Sequence, residues 1–267
     1  MPNNLVSNVV ASKTMKQNIK GYYSGTSGLL LPVPNKMHYP DAFKERSRLC
    51  YYGSLMNSIE INSSFYKIPL ASTVKKWSEE VPEDFRFTFK LFKGITHAPQ
   101  LGFDPADIAR FMEVIANAGH KKGCILVQFP PSVRIANFPQ LSRLMSCLHE
   151  HDSENAWKIA LEFRHTSLYV EEVMELLDEN GLGIVTHDKG TAASPLDDTD
   201  SNFRYLRFHG PGGNYRGSYP EDVLAEYAGY IAEWLSAEKE VFVYFNNTMG
   251  DAIGNLKTLK RFVADIV

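Results

Sequence analysis

The stretch SIEINSSFYKIP, residues 58–69, opens with strict alternation: Ile59 and Ile61 point one way, Ser58, Glu60 and Asn62 the other. In a half-exposed antiparallel strand the polar side meets bulk water. In a closed barrel of parallel strands it meets a shared interior. The choice between these two settings decides the fold, and the rest of the chain makes it.

Residues 57–62 are one of eight segments with strand character, the others being 22–28, 85–92, 123–129, 157–163, 182–187, 203–208 and 241–245. Helical periodicity with start and stop signals fills nearly every gap, over 41–53, 71–81, 104–119, 138–151, 166–181, 220–238 and 249–263. The polar stretch DKGTAASPLDDTDSN, residues 188–202, breaks the pattern. Eight strands alternating with helices predict an α/β TIM-type (β/α)8 barrel, a single domain with its sixth helix weak or missing. A doubly wound open sheet is the runner-up, disfavoured because no GxGxxG follows the first strand. No Pro/Gly/Ser-rich linker splits the chain, so the barrel is assigned to residues 21–267 and a loosely ordered extension to 1–20.

Alternation then sorts the side chains. Ile59, Ile61, Phe87, Phe89, Leu91, Ile125, Val127, Phe129, Ile159, Leu161, Phe163, Leu206, Phe208, Val241, Val243 and Phe245 should face the helices. The opposite parity places Ser58, Glu60, Asn62, Thr88, Lys90, Gln128, Glu162, Arg164, Thr186, Asp188, Arg207, His209, Tyr244 and Asn246 on the axis. His187 falls outward on this count. Most of the inward polar residues end their strands, which is where barrel enzymes hold their active sites.

The 267 residues are 44% hydrophobic, enough for a large core, and the net charge of -3 gives no global attraction to nucleic acid or anionic membrane. Cys50, Cys124 and Cys147 are too few and scattered for a disulfide framework and form no CxxC zinc spacing. They read as reduced thiols of a soluble, cytoplasmic protein. No apolar run reaches the ~18 residues that span a bilayer, and the first twenty residues lack the apolar core of a secretory signal. Nothing in the composition selects an oligomeric state.

Glu60, Glu162, Asp188 and His209 are the acid–base candidates: three carboxylates, and an imidazole that titrates near neutrality. Asn62, Lys90, Gln128, Arg164, Arg207, Tyr244 and Asn246 are the substrate-binding candidates, the cations suited to fixed or developing negative charge. The structural alternative is a salt-bridge network in which Glu60, Glu162 and Asp188 neutralise Lys90, Arg164 and Arg207. Buried pairs of this kind add little net stability over apolar packing, which favours the functional reading. No metal residues are assigned: Glu60, Glu162, Asp188 and His209 would suit a divalent ion, but three cations lie alongside and no HxH or HExxH spacing supports it. His97 could join from a loop above. The glycine-rich loop GPGGNYRGSY, with Arg207, Arg216 and a final helix capped by Asn246, Asn247 or Thr248, is a candidate anion cradle. Phe65, Tyr66, Tyr215 and Tyr219 read as loop packing ahead of base stacking.

GTSG (25–28), EINSSFY (60–66), ITH (95–97), QFPPS (128–132), LEFRH (161–165), RFHG (207–210) and YFNN (244–247) occur in an order that resembles the proteins called domain of unknown function 72, or YecE-like. The resemblance implies a TIM-type barrel and supplies no reaction. Leu29 and Leu168 stand where the family usually has Trp, which weakens any expectation of ring stacking at the mouth. The expected function is an enzyme acting on a small anionic or polyhydroxylated compound at the C-terminal mouth, with hydrolysis or isomerisation as the broadest reaction class. The alternatives are a nucleic-acid-binding or metal-dependent phosphodiesterase-like protein, and a non-catalytic ligand-binding protein. On parity alone, Glu162→Gln and Arg207→Met should abolish ligand binding and leave the fold intact.

Overall fold

The computed structural model describes residues 19–190, 193–196 and 199–267. The assigned extension therefore lies, apart from Ile19 and Lys20, outside the described residues. Eight parallel strands follow one another: β1 Tyr22–Thr26, β2 Ser58–Ile61, β3 Arg86–Lys90, β4 Lys122–Gln128, β5 Lys158–Glu162, β6 Gly183–His187, β7 Phe203–Phe208 and β8 Glu240–Phe245. They pair in the order β1-β8-β7-β6-β5-β4-β3-β2, a nearly closed α/β barrel of the TIM type.

The helices are α1 Arg48–Leu55, α2 Ser63–Tyr66, α3 Ala71–Glu80, α4 Lys93–Thr96, α5 Pro105–Ile115, α6 Phe138–Glu150, α7 Glu171–Glu179, α8 Glu221–Ser236 and α9 Ala252–Ile266. Among the described residues none lies between β6 and β7. None is long and apolar enough to cross a membrane.

Local chemistry sets the helix starts. Ser47 caps α1 by accepting from Cys50 N–H, so the helix expected over 41–53 breaks into a 3₁₀ turn at Asp41–Phe43 and a later α-helix. Asp104 caps α5, with Pro105 in the first turn, where its missing N–H costs nothing. Asp251 caps α9, accepting from Gly254 N–H at 3.1 Å. Asn246, Asn247 and Thr248 do not cap it. The carboxylate of Asp251 already occupies the helix end to which an anion was assigned.

Every apolar residue that alternation placed on the outward face lies in one buried core together with the apolar residues of the helices. A second, separate cluster fills the axis: Cys124, Leu126, Ala160, Val185, Phe203, Tyr205, Phe242 and Tyr244. The axis is thus a packed interior with polar groups above it, as barrel geometry requires. β6 corrects the parity reading. Ile184 belongs to the outer core and Val185 to the inner cluster, so Thr186 faces outward and His187 inward. All five residues of β6 are buried, and two adjacent apolar side chains gave the alternation no direction.

The boundary between β1 and β2 has no ladder beyond a single bridge, Ser27 to Glu60. Side chains close it instead. The Asn57 amide accepts from Ser24 N–H at 2.9 Å and donates to Tyr22 C=O at 2.8 Å, standing in for a peptide unit. The Tyr52 hydroxyl accepts from Thr26 N–H at 2.8 Å and donates to Ser58 C=O at 3.0 Å. Gly25 makes this approach feasible, because a Cβ there would stand 2.0 Å from Ser58 O and 2.6 Å from Tyr52 Oη.

Candidate functional site

Arg207, at the end of β7, reaches across the axis between two glutamates. Its Nε donates to Glu60 Oε1 and Oε2 at 3.2 and 3.0 Å, and Nη2 donates to Oε1 at 2.8 Å. Nη1 donates to Glu162 Oε2 at 2.9 Å. Glu60 also accepts from Tyr205 Oη at 2.6 Å and Ser27 Oγ at 2.7 Å, and Glu162 has a second cation in Arg164. Both glutamates are fully buried. Burial pushes each carboxyl up, but the Arg207 charge and its hydrogen bonds at Glu60, and Arg207 with Arg164 at Glu162, outweigh it and hold both below the usual range. Two carboxylates so firmly ionised are poor proton carriers near neutrality.

His209 is occupied as well. Its Nε2 lies 3.1 Å from Arg164 Nη2 and 3.1 Å from Arg207 Nη1, and guanidinium nitrogens only donate. Nε2 is therefore the acceptor, and the ring proton sits on Nδ1, facing Asp188 Oδ1 at 3.3 Å. Burial lowers the imidazole pKa, the Asp188 bond opposes this and Arg207 adds to it, leaving the ring neutral-favouring. Asp188 further accepts from His209 N–H at 2.8 Å and from Tyr219 Oη, which itself accepts from Gly210 N–H at 2.5 Å. His187 Nε2 donates to the Phe163 carbonyl oxygen at 3.0 Å; as a carbonyl only accepts, Nε2 carries the ring proton. Burial brings its pKa down to about 4.

Lys90 differs from these. Its ammonium donates to Gln128 Oε1 at 2.7 Å and lies 4.2 Å from the centre of the Phe65 ring. Burial first, then Arg207, lower its pKa to about 8 against the opposing pull of Glu162 and Glu60. His97 stands edge-on to Phe65 with ring centres 4.9 Å apart, its pKa lowered by burial and then by Lys90. Asn62 and Asn246 are half-buried beside these strand ends. Tyr244 lies deeper: its hydroxyl is bonded to Ser58 Oγ at 2.5 Å and Thr88 Oγ1 at 2.6 Å within the axial cluster.

The strand ends thus bring Glu60, Glu162, Asp188, His209, Arg164 and Arg207 into one connected network, with Lys90 and Gln128 beside it. The pairing is not the one-to-one neutralisation of the structural alternative, since among the described residues Lys90 forms no ion pair with a carboxylate. Sequence reading missed Ser27 and Tyr205, and took Tyr219 for loop packing where it holds Asp188. Tyr205 carried a usable signal, sharing the parity of Arg207, whereas Tyr219 comes from a loop with no period to read. Arg216 is exposed and Arg207 is committed to the two glutamates, so the loop cradle does not gather as expected. Tyr215 and Tyr66 stay at the surface or half-buried, and Phe65 and Tyr219 are buried.

Among the described residues no three His, Cys, Asp or Glu side chains come together as a metal-holding group. Away from the mouth, a groove of about 930 Å³ lies at the strand starts, lined by β1, β8, α8 and the chain end. Its Lys20, Glu233 and Glu238 are exposed, so it lacks the desolvated charge that marks a chemical site.

The family described as "Protein of unknown function DUF72" matches residues 23–266. The chain belongs to the DUF72 family. It is 28% identical over 253 residues to the UPF0759 protein YunF of Bacillus subtilis, covering 83% of this chain and 88% of that one. With the UPF0759 protein YecE of Escherichia coli K12 it shares 24% identity over 146 residues, 55% of this chain and 50% of the relative. Among solved structures, a DUF72 family protein of Thermotoga maritima is 26% identical with a TM-score of 0.74, covering 91% of this chain and 99% of that one. One from Enterococcus faecalis, at 23% identity, has a TM-score of 0.75 and covers 91% and 95%. This last likeness shows the fold alone. The Leu168 that departs from the family pattern lies fully buried in the outer core.

The network makes the DUF72 barrel acid-sensitive in two stages. His187 and His209 are held below the ordinary imidazole value in the folded state, so the unfolded chain gains protons first as pH falls below about 6.5. The depressed carboxyls of Glu60, Glu162 and Asp188 add a steeper loss below about pH 4.5. A plot of Tm against pH should slope below 6.5 and steepen below 4.5. His187→Phe should remove part of the first slope and leave the second.

Proposed function

We propose that this DUF72 protein is an enzyme that binds a small anionic or polyhydroxylated compound at the C-terminal mouth of the barrel and converts it by proton transfer, within the broad class of isomerisation or hydrolysis. One observation carries the reading: Arg164 Nη1 is buried and has no hydrogen-bond partner among the described residues. A buried charged donor left unpaired is costly, and a ligand oxygen would satisfy it. Lys90 has donors beyond the one given to Gln128, and Asn62 Oδ1 is a second buried atom without a partner, so the open groups comprise two cations and an amide. That mix suits a carboxylate or phosphate flanked by hydroxyls.

The proton-handling role moves, on this reading, from Glu60, Glu162 and His209 to Lys90. The first three are engaged by arginines, and they hold Arg164 and Arg207 in place. Arg207 is buried and Lys90 and Arg164 are half-buried at the strand ends, not spread over a rim, which supports a small ligand over a nucleic acid. The free thiols Cys50, Cys124 and Cys147 support a cytoplasmic, reducing setting.

The test is a thermal-shift and calorimetric panel of small anions, including inorganic phosphate, gluconate and sugar phosphates. Arg164→Lys keeps a cation beside Glu162 but removes the second guanidinium nitrogen. It should weaken the best anion about 10-fold or more, while the exposed Arg46→Met changes nothing. Absence of saturable binding by every anion, or equal binding in Arg164→Lys, would overturn the reading. Binding without turnover across the panel would leave a ligand-binding protein instead of an enzyme.

A further inference from the structure

The amine of Lys90 is a feature of the mouth that the ionic network does not explain. It ends β3 on the barrel axis, is anchored by the Gln128 carbonyl oxygen at 2.7 Å, and has no ion pair with a carboxylate among the described residues. Glu60 and Glu162, the carboxylates that act on it, are already bound by Arg207 and Arg164. A lysine needed only to balance charge would be paired with one of them. This lysine is instead held by a neutral amide and laid over the face of Phe65, with Nζ at 4.2 Å from the ring centre.

We propose that Lys90 is a nucleophile that forms an iminium adduct with a small carbonyl compound bearing an anionic tail, the tail lying on Arg164 Nη1. The proposal deepens the reading of the mouth as an anion-binding site and rests on it for the tail, though not for the amine chemistry. Two lines support it. Nζ has donor positions free besides its bond to Gln128, so a carbonyl carbon can approach without breaking an ion pair. Burial and Arg207 also make the neutral amine accessible. With a pKa of about 8, about one amine in ten is unprotonated at pH 7, against a few in ten thousand for an ordinary lysine. The ring of Phe65 favours the ammonium and so opposes burial.

The step balances without a co-reactant. The ammonium loses a proton and its lone pair forms the new N–C bond, while the carbonyl π pair moves to oxygen. That oxygen collects two of the three ammonium protons and leaves as water as the nitrogen pair closes the C=N bond. Ammonium and carbonyl compound thus give an iminium ion and one water, with charge and protons conserved. The iminium then draws electron density from the adjacent carbon, which is the activation an α-proton transfer or isomerisation needs.

The experiment is reductive trapping. The full chain is incubated at pH 8 with sodium cyanoborohydride and either pyruvate or dihydroxyacetone phosphate, then analysed by intact mass and peptide mapping. The expected result is a single adduct on Lys90, formed at least about 10-fold faster than on the exposed Lys36 and Lys75. Lys90→Arg should lose it with no change in melting temperature. Lactate and glycerol 3-phosphate, which lack the carbonyl but keep the anion, should slow trapping in the native chain. Adducts spread evenly over surface lysines, or persisting in Lys90→Arg, would overturn the proposal. If these analogues bind in an Arg164-dependent way and no Lys90 adduct forms, the nucleophile fails and the anion site stands. A fast Lys90 adduct that the analogues do not slow would keep the nucleophile and remove the anion site.

Discussion

Replacing Arg207 by Met is expected to lower the free energy of unfolding by about 3–5 kcal/mol, because it strands a buried carboxylate with no other cation. Parity alone suggested that this substitution would spare the fold. The geometry says otherwise, since one guanidinium serves both Glu60 and Glu162. The two glutamates are not equivalent. Glu162 keeps Arg164, whereas Glu60 is left with only the hydroxyls of Tyr205 and Ser27. Adding Glu60→Gln to Arg207→Met should therefore recover more than half of the lost stability, as a neutral amide can stay bonded to those hydroxyls. Urea unfolding at pH 7 of the two variants and of Glu60→Gln alone gives the coupling directly. An undiminished loss in the double variant would mean that the guanidinium acts through packing and not through charge.

Gly25→Ala should cost at least about 3 kcal/mol and is expected to prevent accumulation of folded protein. The added methyl would lie 2.0 Å from the Ser58 carbonyl oxygen, a backbone atom that cannot swing away as a side chain can. It would also displace the Tyr52 hydroxyl, breaking the bonds to Thr26 N–H and Ser58 C=O. Gly229, inside α8, has open space around its missing Cβ. Gly229→Ala should stabilise the chain by roughly 0.5–1 kcal/mol, as expected for glycine in a helix interior. Soluble yield and Tm of the two variants should thus move in opposite directions. Equal, small effects would show that the boundary between β1 and β2 yields easily.

The barrel was legible because its strands advertise it twice, through alternation within each strand and helix signals between them. Phe87 and Phe89 against Thr88 and Lys90, or Leu206 and Phe208 against Arg207, leave no doubt which side is apolar. The same logic failed at β6, where Ile184 and Val185 sit side by side and a strand buried on both faces has no polar side to read. Gathering of Glu60, Glu162, Arg164 and Arg207 followed from parity, but their engagement did not. Which nitrogen of Arg207 reaches which glutamate depends on barrel closure across the axis, between residues roughly 45 and 147 positions apart. Asn57 and Tyr52 closing a strand boundary, and Tyr219 holding Asp188 from a loop, have no periodic signature at all. The gathering of these side chains therefore read more clearly than the wiring between them.

Seven of the eight neighbouring strand contacts are ladders of peptide groups, and the eighth is stitched by side chains. That stitch shares an atom with the ionic network. Ser27, on the β1 side, gives its hydroxyl to the same Glu60 oxygen that Arg207 Nη2 holds from across the axis. Tightening at the mouth and cohesion of the barrel wall are consequently one mechanical system. An occupant that steadies Arg207 also clamps the place where the cylinder would otherwise part first.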